Sequence, residues 1–244
     1  IYKDILPEDK SFVSQESTLG LWTGDTGSME SGSAKFQTST TQLAKTTAKY
    51  FVDVYDSKPE SVSTAEVQFS IGYGHSGGSG SATLTQDNTT TLPTKAVYLG
   101  LKNLLLEPDV SLFTFAGGTT GASTVTSDSI YAIVFKRTRY KGYVDPGNWQ
   151  LTLSGSSGVF KFIDDSSQTL GTKRSFAKNG LVFNVASGSL TGTQGSTILG
   201  ITSSVAPNAG EGFGLFYPQK GIIILNADVI DTHVGFSPRT GTIG

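Results

Sequence analysis

In the stretch Ser129-Ile130-Tyr131-Ala132-Ile133-Val134-Phe135-Lys136-Arg137-Thr138-Arg139-Tyr140, the side chains of Tyr131, Ile133, Phe135, Arg137 and Arg139 recur at every second position. An extended chain puts such residues on one face, so a long strand is predicted here, its apolar half in the core and its basic half running toward an edge or a partner. Behind it, Asp145-Pro146-Gly147-Asn148 has Pro and Gly where a type II turn wants them, and Trp149, Leu151 and Leu153 alternate beyond the turn. A hairpin is expected, with Phe135 and Trp149 anchoring its core.

The same period of two spreads outward in both directions. Tyr50, Val52 and Val54 alternate with a mixed second face, and in Glu66-Val67-Gln68-Phe69-Ser70-Ile71 the apolar residues again fall at every second place. Further strands are predicted at residues 110–115, 159–163, 181–185 and 198–202, each bracketed by turn residues, and residues 116–128 are expected as a loop. Near the end comes Phe213 to Tyr217, a Pro218-Gln219-Lys220-Gly221 turn, and Ile222-Ile223-Ile224-Leu225, whose unbroken apolar run suits a strand buried on both faces. A single helix is predicted, at about residues 93–106: Pro93 suits the first turn, Val97, Leu101, Leu104 and Leu105 form a stripe, and Pro108 stops it. The expected fold class is therefore mainly β, an antiparallel sandwich- or barrel-like domain with one packed helix. Residues 1–45 read as a polar, turn-rich arm, 46–231 as the β-rich domain, and 232–244 as a tail or the lead into a further segment.

Bulk composition agrees with short strands and many turns. Of 244 residues, 36% are hydrophobic and 16% charged, and Gly alone counts 30. The net charge of −2 gives the whole chain no electrostatic reason to bind nucleic acid or an anionic membrane. Without cysteine there are no disulfides or thiolate metal sites. No run approaches the roughly 18 apolar residues of a membrane span, and residues 1–10 lack the pattern of a signal peptide. The chain begins without Met and stops on Gly241-Thr242-Ile243-Gly244, which suggests processing or a section of a longer polypeptide.

Three catalytic strings occur, and each lacks its context. Gly72-Tyr73-Gly74-His75-Ser76-Gly77 satisfies the dinucleotide fingerprint, but that fingerprint works only where a helix opens at the glycines, and Gly78-Ser79-Gly80-Ser81 follows instead. Residues 72–81 are expected as a surface loop. Gly74-His75-Ser76-Gly77-Gly78 matches a nucleophile elbow, and Ser76, Asp231 and His233 follow the hydrolase chain order. The elbow, however, belongs on a helix-covered parallel sheet. Asp25-Thr26-Gly27 resembles the aspartic-protease triplet but has no second copy and no apolar strand before it. With only His75 and His233, no clustered ligand spacing suggests a metal, and Asp164-Asp165 reads as a turn. The run Lys136, Arg137, Arg139 and Lys141, interleaved with Tyr140 and Tyr143, reads first as a solvated strand end or an intersubunit salt-bridge patch and second as a phosphate contact.

Several of these stretches resemble virion structural proteins of T4-like contractile-tailed bacteriophages, the myoviruses, including those of marine cyanobacteria. They are Phe69 to His75 with Gly77 to Ser81, Lys95 to Tyr98 with Asn103 to Leu106, Tyr131 to Lys141 through Asp145 to Leu153, and Gly214 to Pro218 with Gly221 to Asn226. The resemblance covers about residues 65–231 and contains no catalytic signature. It implies a non-enzymatic structural subunit of the virion, of the tail or baseplate, assembled in the host bacterial cytoplasm and binding copies of itself and other virion structural proteins. It implies no cofactor, no small-molecule substrate and no membrane, and nucleic acid is not expected as a partner. Arg137 and Arg139 are the expected interface residues, and the arm and strand edges are expected to order against a neighbour. Two alternatives stand beside it: a receptor- or glycan-binding module such as a fibre tip, and a serine hydrolase using Ser76.

Overall fold

The computed structural model describes residues 34–38, 49–55, 62–79, 92–117, 123–140, 142–166, 175–177, 180–191, 195–198 and 212–235. The chain is mainly β and antiparallel. In order it forms β1 (Ala34–Thr38), β2 (Lys49–Tyr55), β3 (Val67–His75), helix α1 (Pro93–Leu105), β4 (Phe113–Gly117), β5 (Ser123–Ser127) and β6 (Ser129–Phe135). A single 3₁₀ turn (Arg137–Arg139) leads on to β7 (Leu151–Gly155), β8 (Gly158–Asp164), β9 (Ser175–Ala177), β10 (Gly180–Thr191), β11 (Gly195–Ile198), β12 (Gly214–Tyr217), β13 (Ile222–Asn226) and helix α2 (Ala227–Val234). The main sheet runs β1-β2-β3-β6-β13-β12-β10-β8-β7, with β9 and β11 also paired to β10, while β4 and β5 form a separate hairpin.

The centre of the sheet is buried on both faces because its strands are apolar at consecutive positions. All five residues of β13 and all four of β12 are buried, as the unbroken apolar runs predict. Alternation then deals their side chains to two layers. On one face Phe69, Ile133, Phe183, Phe216, Ile223 and Leu225 pack with Trp149 and Phe162 and are covered by Ile230 and Val234 of α2. On the other, Ile130, Ala132, Leu215, Ile222 and Ile224 meet Tyr98 and Leu105 of α1 and Phe113 and Phe115 of β4. Phe135 and Trp149, the expected anchors, both join the first layer.

Helix α1 begins with Pro93 at its first turn and no side-chain cap, and it ends where the Leu106 N–H bonds back to Lys102 O. It lies on the sheet where glycine removes the obstacle. A Cβ at Gly74 would stand 3.0 Å from Tyr98 N, so the backbone of the helix passes directly over this position. Tyr98 itself is fully buried. Its hydroxyl donates to Ser127 O (2.7 Å) and accepts from Phe113 N–H (3.1 Å), tying α1 to both strands of the β4–β5 hairpin.

Several expectations change. Residues 72–75 are not loop: β3 continues through His75, pairing Gly72 with Ala132 and His75 with Ser129. The strand begun at Ser129 stops at Phe135 rather than Tyr140: Lys136 N–H makes one last bond to the β3 side, at Gln68 O, and the next residues coil into the 3₁₀ turn. The turn at Asp145 to Asn148 does not close a hairpin; β7 pairs with β8 across Ser156-Ser157 instead, and β6 lies between β3 and β13. Part of the expected loop 116–128 is strand β5. A second helix, α2, spans the expected boundary at 231/232, with Asn226 as its N-cap accepting from Val229 N–H and Gly235 as its left-handed C-cap. Within the expected arm, β1 pairs with β2, and most of the predicted strand at 198–202 lies outside the described residues.

Candidate functional site

The basic segment after β6 is held against the β12–β13 turn by backbone bonds. Phe135 N–H donates to Gly221 O (2.8 Å) and Val144 N–H to Pro218 O (3.0 Å). Between them Tyr140 is buried and its hydroxyl donates to Lys220 O (2.6 Å). Gly221, at φ +62°, leaves room for that ring, since a side chain there would collide with it. On this platform Arg137 stacks over the Tyr140 ring at 4.7 Å and donates to Gly142 O (3.3 Å) and Gln219 O (3.4 Å). Arg139 turns away and pairs with Glu66. The two arginines therefore diverge around a 3₁₀ turn instead of sharing a strand face with Tyr131, Ile133 and Phe135. Lys136 and Arg137 remain exposed, Lys220 half-exposed, and Tyr143 is 58% exposed beside them. Lys141 lies outside the described residues.

The residues of the hydrolase string are distributed among packing roles. Ser76 follows β3 in a turn, its N–H donating to Asp128 O (2.8 Å). His75 accepts from Gly77 N–H at Nδ1 (2.9 Å) and faces Asp128 with Nε2 (3.6 Å). Asp231, on α2, accepts from the Tyr131 hydroxyl (2.9 Å), and the His233 ring lies among Phe160, Phe162 and Phe213. For the dinucleotide string, Gly72 and Gly74 lie within β3, Gly74 making room for α1, and α1 starts only at Pro93. Asp25-Thr26-Gly27 and Trp22 lie outside the described residues. Among the described residues no group of three or more His, Asp or Glu is placed to hold a metal, and no helix is long and apolar enough to cross a membrane.

Sequence reasoning missed the burial of Asp164 and Asp165. Asp164 accepts from Gly147 N–H (2.8 Å) and Ser166 N–H (3.0 Å), so it staples the 145–149 segment to the end of β8. Asp165 accepts from Asn184 N–H and Asn184 Nδ2, each at 2.9 Å, which fixes β8 to β10. Burial pushes the Asp165 carboxyl up to about 6, against the opposing pull of the Asn184 bonds and with a smaller upward push from Asp164. The only sequence signal was the adjacency of two acids, which a turn explains equally well.

No protein-family model matches the chain, and no curated protein and no solved structure matches it.

Proposed function

We propose that this chain is a structural subunit of a bacteriophage virion, of the tail or baseplate, acting through protein–protein contacts. The supporting observation joins sequence to fold: most of the separate stretches that resemble myovirus structural proteins fall on β3, α1, β6, β12 and β13, and one reaches β7 at the sheet's far edge. β3, β6, β13 and β12 are consecutive neighbours in the sheet, and α1 lies across β3. The resemblance is thus centred on a contiguous block of core, where side chains are close-packed. Contacts would then be made at the rim of this block, where Lys136, Arg137 and Tyr143 are exposed on a backbone-braced turn. An exposed tyrosine beside an arginine is the composition of an interface anchor.

Mass spectrometry of purified, fractionated particles tests this directly. The polypeptide should travel with tails or baseplates; its absence from particles would overturn the proposal.

A further inference from the structure

The four central strands carry almost no charge along their length. Val67–His75, Ser129–Phe135, Gly214–Tyr217 and Ile222–Asn226 contain no Lys, Arg, Asp or Glu. Register places Val67, Phe135, Tyr217 and Ile222 at one end of the sheet and His75, Ser129, Asn226 and Gly214 at the other. The chain segments leaving these ends have opposite signs. At the first end, among the described residues, stand Lys136, Arg137, Arg139 and Lys220, four cations against Glu66 and Asp145. At the second, among the described residues, stand the carboxylates Asp128, Asp228 and Asp231, with Lys95 of α1, Lys49 at the start of β2 and the His75 that pairs with Asp128. The Asp128 side chain is 53% exposed, and Asp228 is exposed.

A strand of this length separates the ends by roughly 25 Å. Screening at physiological salt acts over about 8 Å, so the two patches do not neutralise each other within one molecule. Each is instead complementary to the opposite end of another copy, while like ends repel.

We propose that copies of this chain associate end to end along the strand direction, the basic turn cluster of one (Lys136, Arg137, Lys220) against the acidic end (Asp128, Asp228) of the next. This names a partner for the assembly role above and rests on that role for its biological setting, but not for its test. Such a contact is heterologous: it uses two different surfaces, and so builds an open chain of copies or, where its rotation closes, a ring. It also excludes a two-fold dimer through either end, because that would oppose like charges.

Sedimentation of the full chain at about 0.01 M and about 1 M salt, where the screening length falls from ~30 Å to ~3 Å, tests it first. Association should weaken at least about tenfold, as expected for contacts made by exposed charges. Two variants then test the pairing. Lys136→Glu with Lys220→Glu, and Asp128→Lys with Asp228→Lys, should each be monomeric alone, and an equimolar mixture should form hetero-complexes. Circular dichroism checks that both fold; should a variant not fold, the salt series on the natural chain decides. A chain monomeric at low salt, association indifferent to salt, or variants that self-associate as before would each overturn the end-to-end contact. None of those results bears on whether the polypeptide is found in particles, which decides the proposed function separately.

Discussion

Gly74 stands under the backbone of α1, and its neighbour on the same face, Gly72, does not. A Cβ at Gly74 would lie 3.0 Å from Tyr98 N, 3.1 Å from Tyr98 Cα and 3.3 Å from Ile130 Cγ1. Two of these are main-chain atoms that cannot swing aside. Gly74→Ala should lift α1 from β3, strain both Tyr98 hydroxyl bonds and cost about 1–3 kcal/mol. At Gly72 the nearest atom is Val97 Cγ1 at 4.0 Å, an ordinary contact. Gly72→Ala should therefore be neutral or slightly stabilising, since alanine loses less freedom than glycine in a strand. Thermal melts of the two variants, one methyl group each, should differ in sign or by several degrees; equal losses would contradict the close approach of the helix. Asp165 makes a second single-residue test. Its folded pKa of about 6 lies above the free value of 3.8, so the folded state holds the proton more tightly than the unfolded chain. The contribution favours folding below about 4, declines as the pH rises toward 6, and is absent above it, a change of about 3 kcal/mol at most. Asp165→Asn keeps an oxygen for Asn184 N–H and removes the ionisation, provided the Asn184 amide turns to accept. Relative to the natural protein, the variant should gain stability as the pH rises from about 4 to about 6 in urea melts; a gap between the two that stays constant with pH would show that Asp165 does not titrate there.

At the scale of elements, the parts legible in sequence are those whose local pattern and tertiary surroundings agree. β12 and β13 are continuous apolar runs and are buried on both faces, and α1 keeps its Pro93 start and ends before Pro108, although the face it buries is Thr94, Tyr98 and Leu105 and Leu104 of the expected stripe is exposed. Where pattern and surroundings conflict, the surroundings win. Alternation continues from Phe135 into Arg137 and Arg139, but the strand ends because Tyr140 packs on the β12–β13 turn some 80 residues away, a contact no local window contains. The same distance hides the companions of the candidate site: Arg137 is visible in sequence, whereas Lys220 reaches it only through the fold. Strand β5, Ser123–Ser127, escaped because its partner β4 supplies the large side chains Phe113 and Phe115. Helix α2 escaped for a different reason. Its eight residues adjoin an apolar strand and include Val229, Ile230, Thr232 and Val234, whose β-branching suits strands. Its caps were nevertheless written in the chain, Asn226 before it and Gly235 after it. Asn226→Ala removes the acceptor for Val229 N–H and should cost about 1 kcal/mol. The loss should appear as faster amide exchange confined to the first turn of α2; unchanged exchange at Val229 would show that the 3.4 Å bond contributes nothing.

For the whole molecule, the consequence of double-sided strands is that both core layers depend on the same backbone. Ile223 faces the layer of Trp149 and α2, and Ile224, one residue on, faces the layer of α1 and the β4–β5 hairpin. Neither layer can come apart while β13 holds its place between β6 and β12, and neither survives its loss. The described core should therefore unfold in one transition, not as two layers in sequence. Trp149 reports on this, being buried against Phe216 in the first layer at a ring separation of 5.2 Å. Ile224→Ala empties space only in the second layer, and a substitution of this kind in a full core costs about 2–5 kcal/mol. In a Trp22→Phe background, which leaves Trp149 as the single indole, urea unfolding of the Ile224→Ala variant followed by fluorescence should shift as far as the same transition followed by far-ultraviolet circular dichroism. The fluorescence change occurs on the face opposite the cavity, so a coincident shift means that the strand between them transmits the whole loss. A fluorescence midpoint that stays in place while the dichroism midpoint falls would mean that the layers are energetically separate and that β13 is a boundary between two cores instead of the centre of one.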